Sequence, residues 1–222
     1  MNFDHAFIIT YGRSGSTLLQ GLLNTIPGAE IRGENANLLF FIYKISEGLQ
    51  ICKRQKAAAT DSTHPWFGAD RIPFDTYHRD TLDLFKRDVL APREGRSLIG
   101  FKEIRFQIPY PQLAGYIDYL RANFSRTAII FNTRALDAVI ESNRKAKHFV
   151  VEDKVREADA NFRRLAEERP DHCYRVHYDD YTADPEALRG LFDFLGAPFD
   201  MERIQETMAQ THSVRTSTVS TN

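Results

Sequence analysis

The sequence predicts an α/β fold in which a mainly parallel sheet is covered by helices on both faces. Short apolar runs alternate along the chain with helical patterns. These runs are continuously apolar instead of alternating with polar residues, which is typical of strands that are buried on both faces. Ligands of such sheets bind beyond the carboxyl ends of the strands. We therefore expect functional residues directly after the predicted strands.

Length and composition indicate one domain that spans residues 1–222. The chain has 222 residues, of which 42% are hydrophobic, and this suffices for one sizeable core. The formal net charge of −1 disfavours a general nucleic-acid or membrane-surface binder, since such proteins usually need a basic excess. We find no apolar run of membrane-spanning length, no secretory signal and no disulfide framework. These features predict a cytoplasmic protein, and they do not indicate an oligomeric state.

The first predicted strand, residues 6–10, leads through a turn at residues 11–15 into a helix that starts at Ser16. The first N–H groups of a helix have no intrahelical partner, and the helix dipole favours negative charge there. Gly12 and Gly15 let the backbone of the turn approach an anion closely. We interpret this joint as a phosphate-binding site.

The side chains of the turn also suit an anion. Ser14, Ser16 and Thr17 supply hydroxyl donors, and Arg13 supplies a planar cation. The alternative is an ordinary strand–helix joint with polar capping residues. A nucleoside-triphosphate P-loop would carry a lysine directly before its Ser/Thr, and this turn has no lysine.

The second predicted strand, residues 30–32, leads to Glu34. This position is expected at the edge of the sheet where the turn at residues 11–15 also opens. A carboxylate there can accept a proton from an attacking hydroxyl. The alternative role for Glu34 is to cap the helix predicted at residues 36–48.

Residues 49–75 show no clean periodicity and are predicted to form a long loop. Loops of this length in compact domains are usually functional or disordered. Trp66 and Phe67 are candidates for stacking on a ligand, and the alternative is that they hold the loop against the core. A helix is predicted next, at residues 77–90.

The third and fourth predicted strands lead to further candidates. Residues 98–102 end at Lys102, which either faces the same edge or pairs with a nearby carboxylate at the surface. Residues 127–132 lead to Arg134, and Ser142 follows eight residues later. The helices predicted in this half of the chain are residues 112–123, 135–148 and 152–168.

The last predicted strand, residues 174–178, ends at Tyr178. A helix follows, with Pro185 in its first turn and Gly196 at its end, which are the residue types commonly found at those positions. The polar tail contains one cation, Arg215.

Two of these segments resemble a known family. The segment GRSGSTLL at residues 12–19 resembles the 5′-phosphosulfate loop of sulfotransferases that use 3′-phosphoadenosine 5′-phosphosulfate (PAPS), particularly the carbohydrate and bacterial branches. Cytosolic members carry lysine in place of Arg13. Arg134 and Ser142 have the spacing of the arginine and serine that bind the 3′-phosphate in this family. The motif departs from the commoner Arg-Asp/Asn-Pro start, because Ala135 and Leu136 follow the arginine.

The resemblance implies a P-loop-like fold, PAPS as the cofactor, no metal, and transfer of a sulfonate to a hydroxyl or amine of a small-molecule or carbohydrate acceptor. It implies that Glu34 is the general base and that Lys102 and Arg13 stabilise the transferring group. Residues 49–75 are then expected on the acceptor side. The implied cofactor contacts, with Tyr178 beside the adenine, are Arg13, Ser14, Gly15, Ser16, Thr17, Arg134, Ser142, Tyr178 and Arg215.

Two alternatives remain open from the sequence. A small-molecule kinase with a degenerate P-loop would need a carboxylate for Mg²⁺ at a strand end, and only Glu103 is available for that role. A non-catalytic nucleotide-binding module would keep Arg134 and the phosphate loop, but it would give no role to Glu34 and Lys102.

Overall fold

A computed structural model of the chain describes residues 1–58, 60–147 and 151–210. Its sheet has five parallel strands in the order β2-β3-β1-β4-β5. They are β1 (His5–Ile9), β2 (Ala29–Arg32), β3 (Leu98–Glu103), β4 (Thr127–Thr133) and β5 (Cys173–His177). The predicted α/β class with a parallel sheet is confirmed, and the ends of the five predicted strands differ from the observed ones by at most one residue.

The described residues form nine α-helices, which cover both faces of the sheet. They are α1 (Ser16–Leu23), α2 (Leu38–Arg54), α3 (Phe74–Leu84), α4 (Tyr110–Asn123), α5 (Leu136–Lys145), α6 (Glu152–Glu168), α7 (Tyr178–Ala183), α8 (Arg189–Leu195) and α9 (Met201–Ala209). In this described part of the chain, no helix is both long and apolar enough to cross a membrane.

Side chains alternate along the strands and build one core on each face of the sheet. Phe7 and Ile9 of β1 pack with residues of α2, α4 and α6, whereas Ala6 and Ile8 pack with residues of α1, α8 and α9. The strands approach closely at Gly100, where a β-carbon would lie 1.7 Å from the carbonyl oxygen of Ala6. Burial on both faces explains why the strand sequences are continuously apolar.

The order of the strands places the turn after β1 at the centre of the fold. β1 lies between β3 and β4, and the chain leaves it through α1 to reach the edge strand β2. The order of the strands therefore reverses at β1, and a crevice forms beyond the carboxyl ends at such a switch point. The turn at residues 11–15 opens into this crevice.

The prediction for residues 36–75 is wrong in two respects. α2 starts at Leu38, because Ala36 and Asn37 have left-handed φ angles of 56° and 60°, which are incompatible with an α-helix. The helix then continues to Arg54, so it occupies the first part of the predicted loop. The rest of that loop includes short 3₁₀ turns at Lys56–Ala58 and Ala69–Arg71.

Other boundaries also differ from the prediction. The helix predicted at residues 77–90 is α3 followed by a π-helical segment, Phe85–Leu90. Tyr178 begins α7 instead of ending β5. The sequence pattern missed α9, because its only buried apolar residue is Ile204. The predicted residue 148 at the end of α5 lies outside the described part of the chain.

Candidate functional site

The turn between β1 and α1 leads into the uncapped amino terminus of α1. α1 begins at Ser16 with no side-chain cap and no acidic residue in its first turn. Arg13 and Gly15 both have left-handed φ angles, of 67° and 79°. At Gly15 a β-carbon would also lie 2.1 Å from the ring of Tyr178. Glycine is therefore required at this position, and the free N–H groups at the start of α1 suit an anion.

The underside of the turn is held by buried hydroxyl and amide groups. The Thr10 hydroxyl lies 2.8 Å from the hydroxyl of Ser14 and donates to the carbonyl of Asn132 at 2.5 Å. The Asn132 side chain in turn donates to the carbonyl of Ser14 at 2.8 Å. Ser14 is fully buried, so its side chain supports the turn from the core side. Ser16 is also buried, whereas Thr17 is exposed.

The two segments that resemble the cofactor site lie in direct contact. Nε of Arg13 donates to Oγ of Ser142 at 2.9 Å. Nη1 of Arg134 donates to the carbonyl oxygen of Arg13 at 3.2 Å. Residues more than 120 positions apart in the sequence thus form one basic, hydroxyl-containing cluster at the carboxyl ends of β1 and β4.

The Arg134 guanidinium is held in place, but one of its N–H groups has no hydrogen-bond partner among the described residues. It lies over the Tyr178 ring, 4.6 Å from the ring centroid. Its Nε is buried and has no hydrogen-bond partner among the described residues, since the nearest Asp179 oxygen is 3.9 Å away. A buried N–H without an acceptor is costly. An anionic group beside Arg134 would supply the acceptor, so these residues fit a phosphate.

A buried pair that the sequence reasoning missed fixes the backbone of Arg134. The Tyr11 hydroxyl donates to the Asp159 carboxylate at 2.9 Å and accepts from the N–H of Arg134 at 3.1 Å. Burial, together with the Asp159 carboxylate, raises the pKa of Tyr11 well above its ordinary value, so its hydroxyl remains a donor. The sequence feature that could have indicated this pair is Asp159, a carboxylate on the buried face of α6 between Val155 and Phe162.

Glu34 lies at the carboxyl end of the edge strand β2, in contact with two cations. Nζ of Lys102 donates to Oε1 of Glu34 at 2.6 Å, and Nη1 of Arg105 donates to Oε2 at 3.4 Å. The Lys102 side chain is only 6% exposed, whereas that of Glu34 is 33% exposed. The structure therefore brings together Lys102 and the predicted base, with the carboxylate reachable from solvent.

Glu103 lies at the end of β3, as the sequence predicts, but its contacts were not readable from the sequence. It does not pair with Lys102, because it is buried and its Oε1 accepts the backbone N–H groups of Asn35 at 2.5 Å and Asn37 at 3.0 Å. Its Oε2 accepts from Arg105 at 2.9 Å. Glu103 thus fixes the loop that carries Glu34, and its oxygens are already engaged.

A cleft of about 430 Å³ borders Glu34. Its walls come from the end of β2, the start of α2, β3 and the π-helical segment. A volume of this size is within the range of small-molecule sites, about 300–1,000 Å³. No residue of 49–75 is among the described residues that line it. Trp66 and Phe67 are partly exposed elsewhere, and the Arg71 guanidinium lies 5.5 Å from the Phe67 ring centroid.

One predicted cofactor residue falls outside this description. Arg215 belongs to residues 211–222, which the structure does not describe.

Comparison with known proteins identifies the family. The sequence matches the model of the sulfotransferase family over residues 6–201. No curated protein matches the sequence.

Two solved structures share the fold. The sulfotransferase domain of the Synechococcus PCC 7002 olefin synthase superimposes with a TM-score of 0.62 and 23% identity, over 95% of this chain and 79% of that one. A sulfotransferase domain from the curacin biosynthetic pathway superimposes with a TM-score of 0.55 and 18% identity, over 93% of this chain and 78% of that one. At these identities the likeness establishes the fold alone.

Proposed function

Because the chain belongs to the sulfotransferase family, we propose that it transfers the sulfonate group of PAPS to a hydroxyl or amine of a small-molecule acceptor. The product from the cofactor is 3′,5′-adenosine bisphosphate. The observation that carries this proposal is the cluster in which Arg13, Ser142 and Arg134 join the phosphate loop to a buried, unpaired guanidinium N–H.

The two parts of this cluster suit the two anionic ends of PAPS. The N–H groups at the start of α1, with Ser16, Thr17 and Arg13, would hold the 5′-phosphosulfate. Arg134 and Ser142 would hold the 3′-phosphate, since an arginine fork and a hydroxyl supply complementary donors to phosphate oxygens. Tyr178 lies against Gly15 and under Arg134, where its ring can also support the adenine side of the nucleotide.

PAPS supplies an activated sulfonate bonded to a phosphate leaving group. The residues of this chain would orient and neutralise that group, since the N–H groups at the start of α1 and the Arg13 guanidinium can offset the negative charge that increases on the sulfonate and the leaving phosphate during transfer. Glu34 takes the proton from the acceptor hydroxyl. Lys102 holds one oxygen of Glu34, and its remaining N–H donors would serve the sulfonate oxygens.

The kinase alternative receives no support from the family assignment, nor from the position of Glu103. A kinase would need this carboxylate for Mg²⁺, whereas both of its oxygens already accept hydrogen bonds from the loop and from Arg105. A non-catalytic binding module is also less suited to the structure, because it gives no role to the Glu34–Lys102 pair beside an open cleft.

Thermal unfolding with different nucleotides tests the cofactor. We expect 3′,5′-adenosine bisphosphate without Mg²⁺ to raise the melting temperature. At a ligand concentration of one hundred times Kd, binding stabilises the folded protein by about 2.7 kcal/mol. ATP with Mg²⁺ and GTP with Mg²⁺ should stabilise the protein less, because neither carries a 3′-phosphate. Greater stabilisation by ATP with Mg²⁺ would refute the proposal in favour of a kinase.

A further inference from the structure

The chemistry of the cleft beside Glu34 indicates which class of acceptor it binds. Five of its ten lining residues have apolar side chains: Leu38, Phe85, Val89, Leu90 and Phe101. Phe85, Leu90 and Phe101 are buried, so they form a rigid part of the wall. Leu38 is 45% exposed and lies at the start of α2, four residues after Glu34. An apolar wall thus begins beside the proposed base.

The other charged groups of the lining, Arg32 and Asp88, have partners within the protein. Nη1 of Arg32 donates to the carbonyl oxygens of Val89 at 3.1 Å and Leu90 at 2.9 Å. Asp88 forms an ion pair with Arg87, with Nε and Oδ1 2.7 Å apart. Glu34 is paired as well, with Lys102 and Arg105, but it is the lining carboxylate that the proposed function assigns to the acceptor proton, so the reacting end of a ligand belongs beside it. The walls present apolar surface to the rest of that ligand.

We propose, as an extension that rests on the proposed function, that the acceptor is an alcohol or phenol with a neutral apolar body. The body lies in the cleft and the hydroxyl lies at Glu34. The hydroxyl oxygen forms the new bond to sulfur, and its proton passes to Glu34. The bond between sulfur and the 5′-phosphate oxygen of PAPS breaks, and its electron pair stays on the phosphate. The products are a sulfate monoester and adenosine bisphosphate.

A carbohydrate fits this cleft poorly. A sugar ring carries a hydroxyl on most of its carbons, and each hydroxyl that is buried without a partner weakens binding. Burial of apolar surface, in contrast, favours binding. Five apolar side chains therefore select an apolar body over a polyhydroxylated one.

α2 offers a matched pair of variants. Leu38 lines the cleft, whereas Phe41, one turn further along the same helix, is 57% exposed and does not line it. Both side chains are at the surface, so replacement by glutamine should leave the fold intact in each case. Leu38→Gln places an amide in the cleft, and Phe41→Gln places one outside it.

The experiment measures binding of 2-naphthol and 1-hexanol, with glucose as the polar comparison, to the full chain in the presence of adenosine bisphosphate. Titration calorimetry should show that at least one apolar alcohol binds and that glucose does not. Leu38→Gln should weaken binding of that alcohol at least tenfold, and Phe41→Gln should change it less than twofold. With PAPS, the same alcohol should give its sulfate ester, and Leu38→Gln should raise KM while kcat changes less than twofold.

Two results would overturn this inference. One is that neither apolar alcohol binds more tightly than glucose, and the other is that the two variants weaken binding equally. If adenosine bisphosphate still binds in those cases, only the acceptor class is wrong and the proposed function stands. If adenosine bisphosphate itself does not bind to the wild-type protein, the proposed function fails, and this inference fails with it.

Discussion

The two halves of the candidate site are built by different kinds of interaction. The donor region comprises the phosphate loop, residues 10–17, together with Arg134, Ser142 and Tyr178. Its support is mostly neutral and buried, as in the hydroxyl and amide bonds of Thr10 and Asn132. The acceptor region comprises Glu34, Lys102, Glu103, Arg105 and the cleft. It is held by a chain of alternating charges at the edge of the sheet.

This difference matches what each region would have to do. A phosphate site works through donors that are already oriented, so support from the adjacent interior strands β1 and β4 suits it. The acceptor region lies beside the edge strand β2, where loop and helix residues supply most of the walls. We infer that the donor region is the rigid part of the site, and that the acceptor region sets which molecule reacts.

The largest effect is expected for Glu34→Gln, which tests proton transfer separately from nucleotide binding. Glu34→Gln keeps the shape of the side chain but cannot take the acceptor proton. It should therefore lower kcat for sulfonate transfer about 10²–10⁴-fold, the usual contribution of a general base. The affinity for adenosine bisphosphate should change less than twofold, because the donor region does not include Glu34. Steady-state kinetics and calorimetry on the same variant check both values.

Glu30→Gln is the matched control for Glu34→Gln. Glu30 lies in β2 and accepts from the backbone N–H of Arg93 at 3.0 Å, and it does not line the cleft. Its replacement should change the rate of transfer less than about threefold, since it removes no group that can act as a general base. Full activity of Glu34→Gln would show that the base lies elsewhere.

A smaller effect is expected in the donor region. Arg134→Ala removes a charge-assisted pair of hydrogen bonds, so it should weaken adenosine bisphosphate by about 2 kcal/mol, which is roughly 30-fold in Kd. Binding of 5′-AMP, which has no 3′-phosphate, should be nearly unchanged. Titration calorimetry with both ligands measures the difference.

Arg144→Ala serves as the control for the donor region. Arg144 is exposed on α5 and pairs with Glu152. Its replacement should therefore change neither the affinity for adenosine bisphosphate nor the affinity for 5′-AMP. If Arg134→Ala weakens both nucleotides equally, Arg134 supports the fold of the site and does not bind the 3′-phosphate.

The smallest of these effects concerns the loop that carries the base. Glu103→Gln replaces one acceptor oxygen by an N–H₂ group that faces other donors, and it should cost about 1–3 kcal/mol of unfolding free energy. We expect kcat to fall about tenfold because Glu34 is held less precisely, while affinity for adenosine bisphosphate stays within twofold. Denaturant unfolding and kinetics measure the two effects.

An exposed carboxylate gives the comparison for Glu103. Glu141 pairs with Lys145 on the surface of α5, and such i,i+4 pairs contribute about 0.3–0.5 kcal/mol. Glu141→Gln should therefore change neither kcat nor the unfolding free energy appreciably. A folded Glu103→Gln protein with unchanged kcat would show that Glu103 has only a structural role.

Local sequence patterns were sufficient for the strands and for the strand–turn–helix segment that starts with β1. A strand, a turn with two glycines and a helix form one continuous segment, so residues 6–23 contain the information for that unit. Burial on both faces gives apolar runs whose ends are readable to within one residue. The predicted helix boundaries were wrong where tertiary contacts compete with local preference. An example is Asn37, whose left-handed backbone is held by Glu103.

The tertiary structure alone decided how the charged residues pair. Lys102 meets Glu34 across 68 positions of sequence, and Glu103 reaches Asn35 across the same distance. Neighbouring residues of β3 point to opposite faces, so the partner of each depends on which loop packs at that end of the sheet. The cleft beside Glu34 has the same origin, because β2, α2, β3 and the π-helical segment enclose it only after the sheet has assembled.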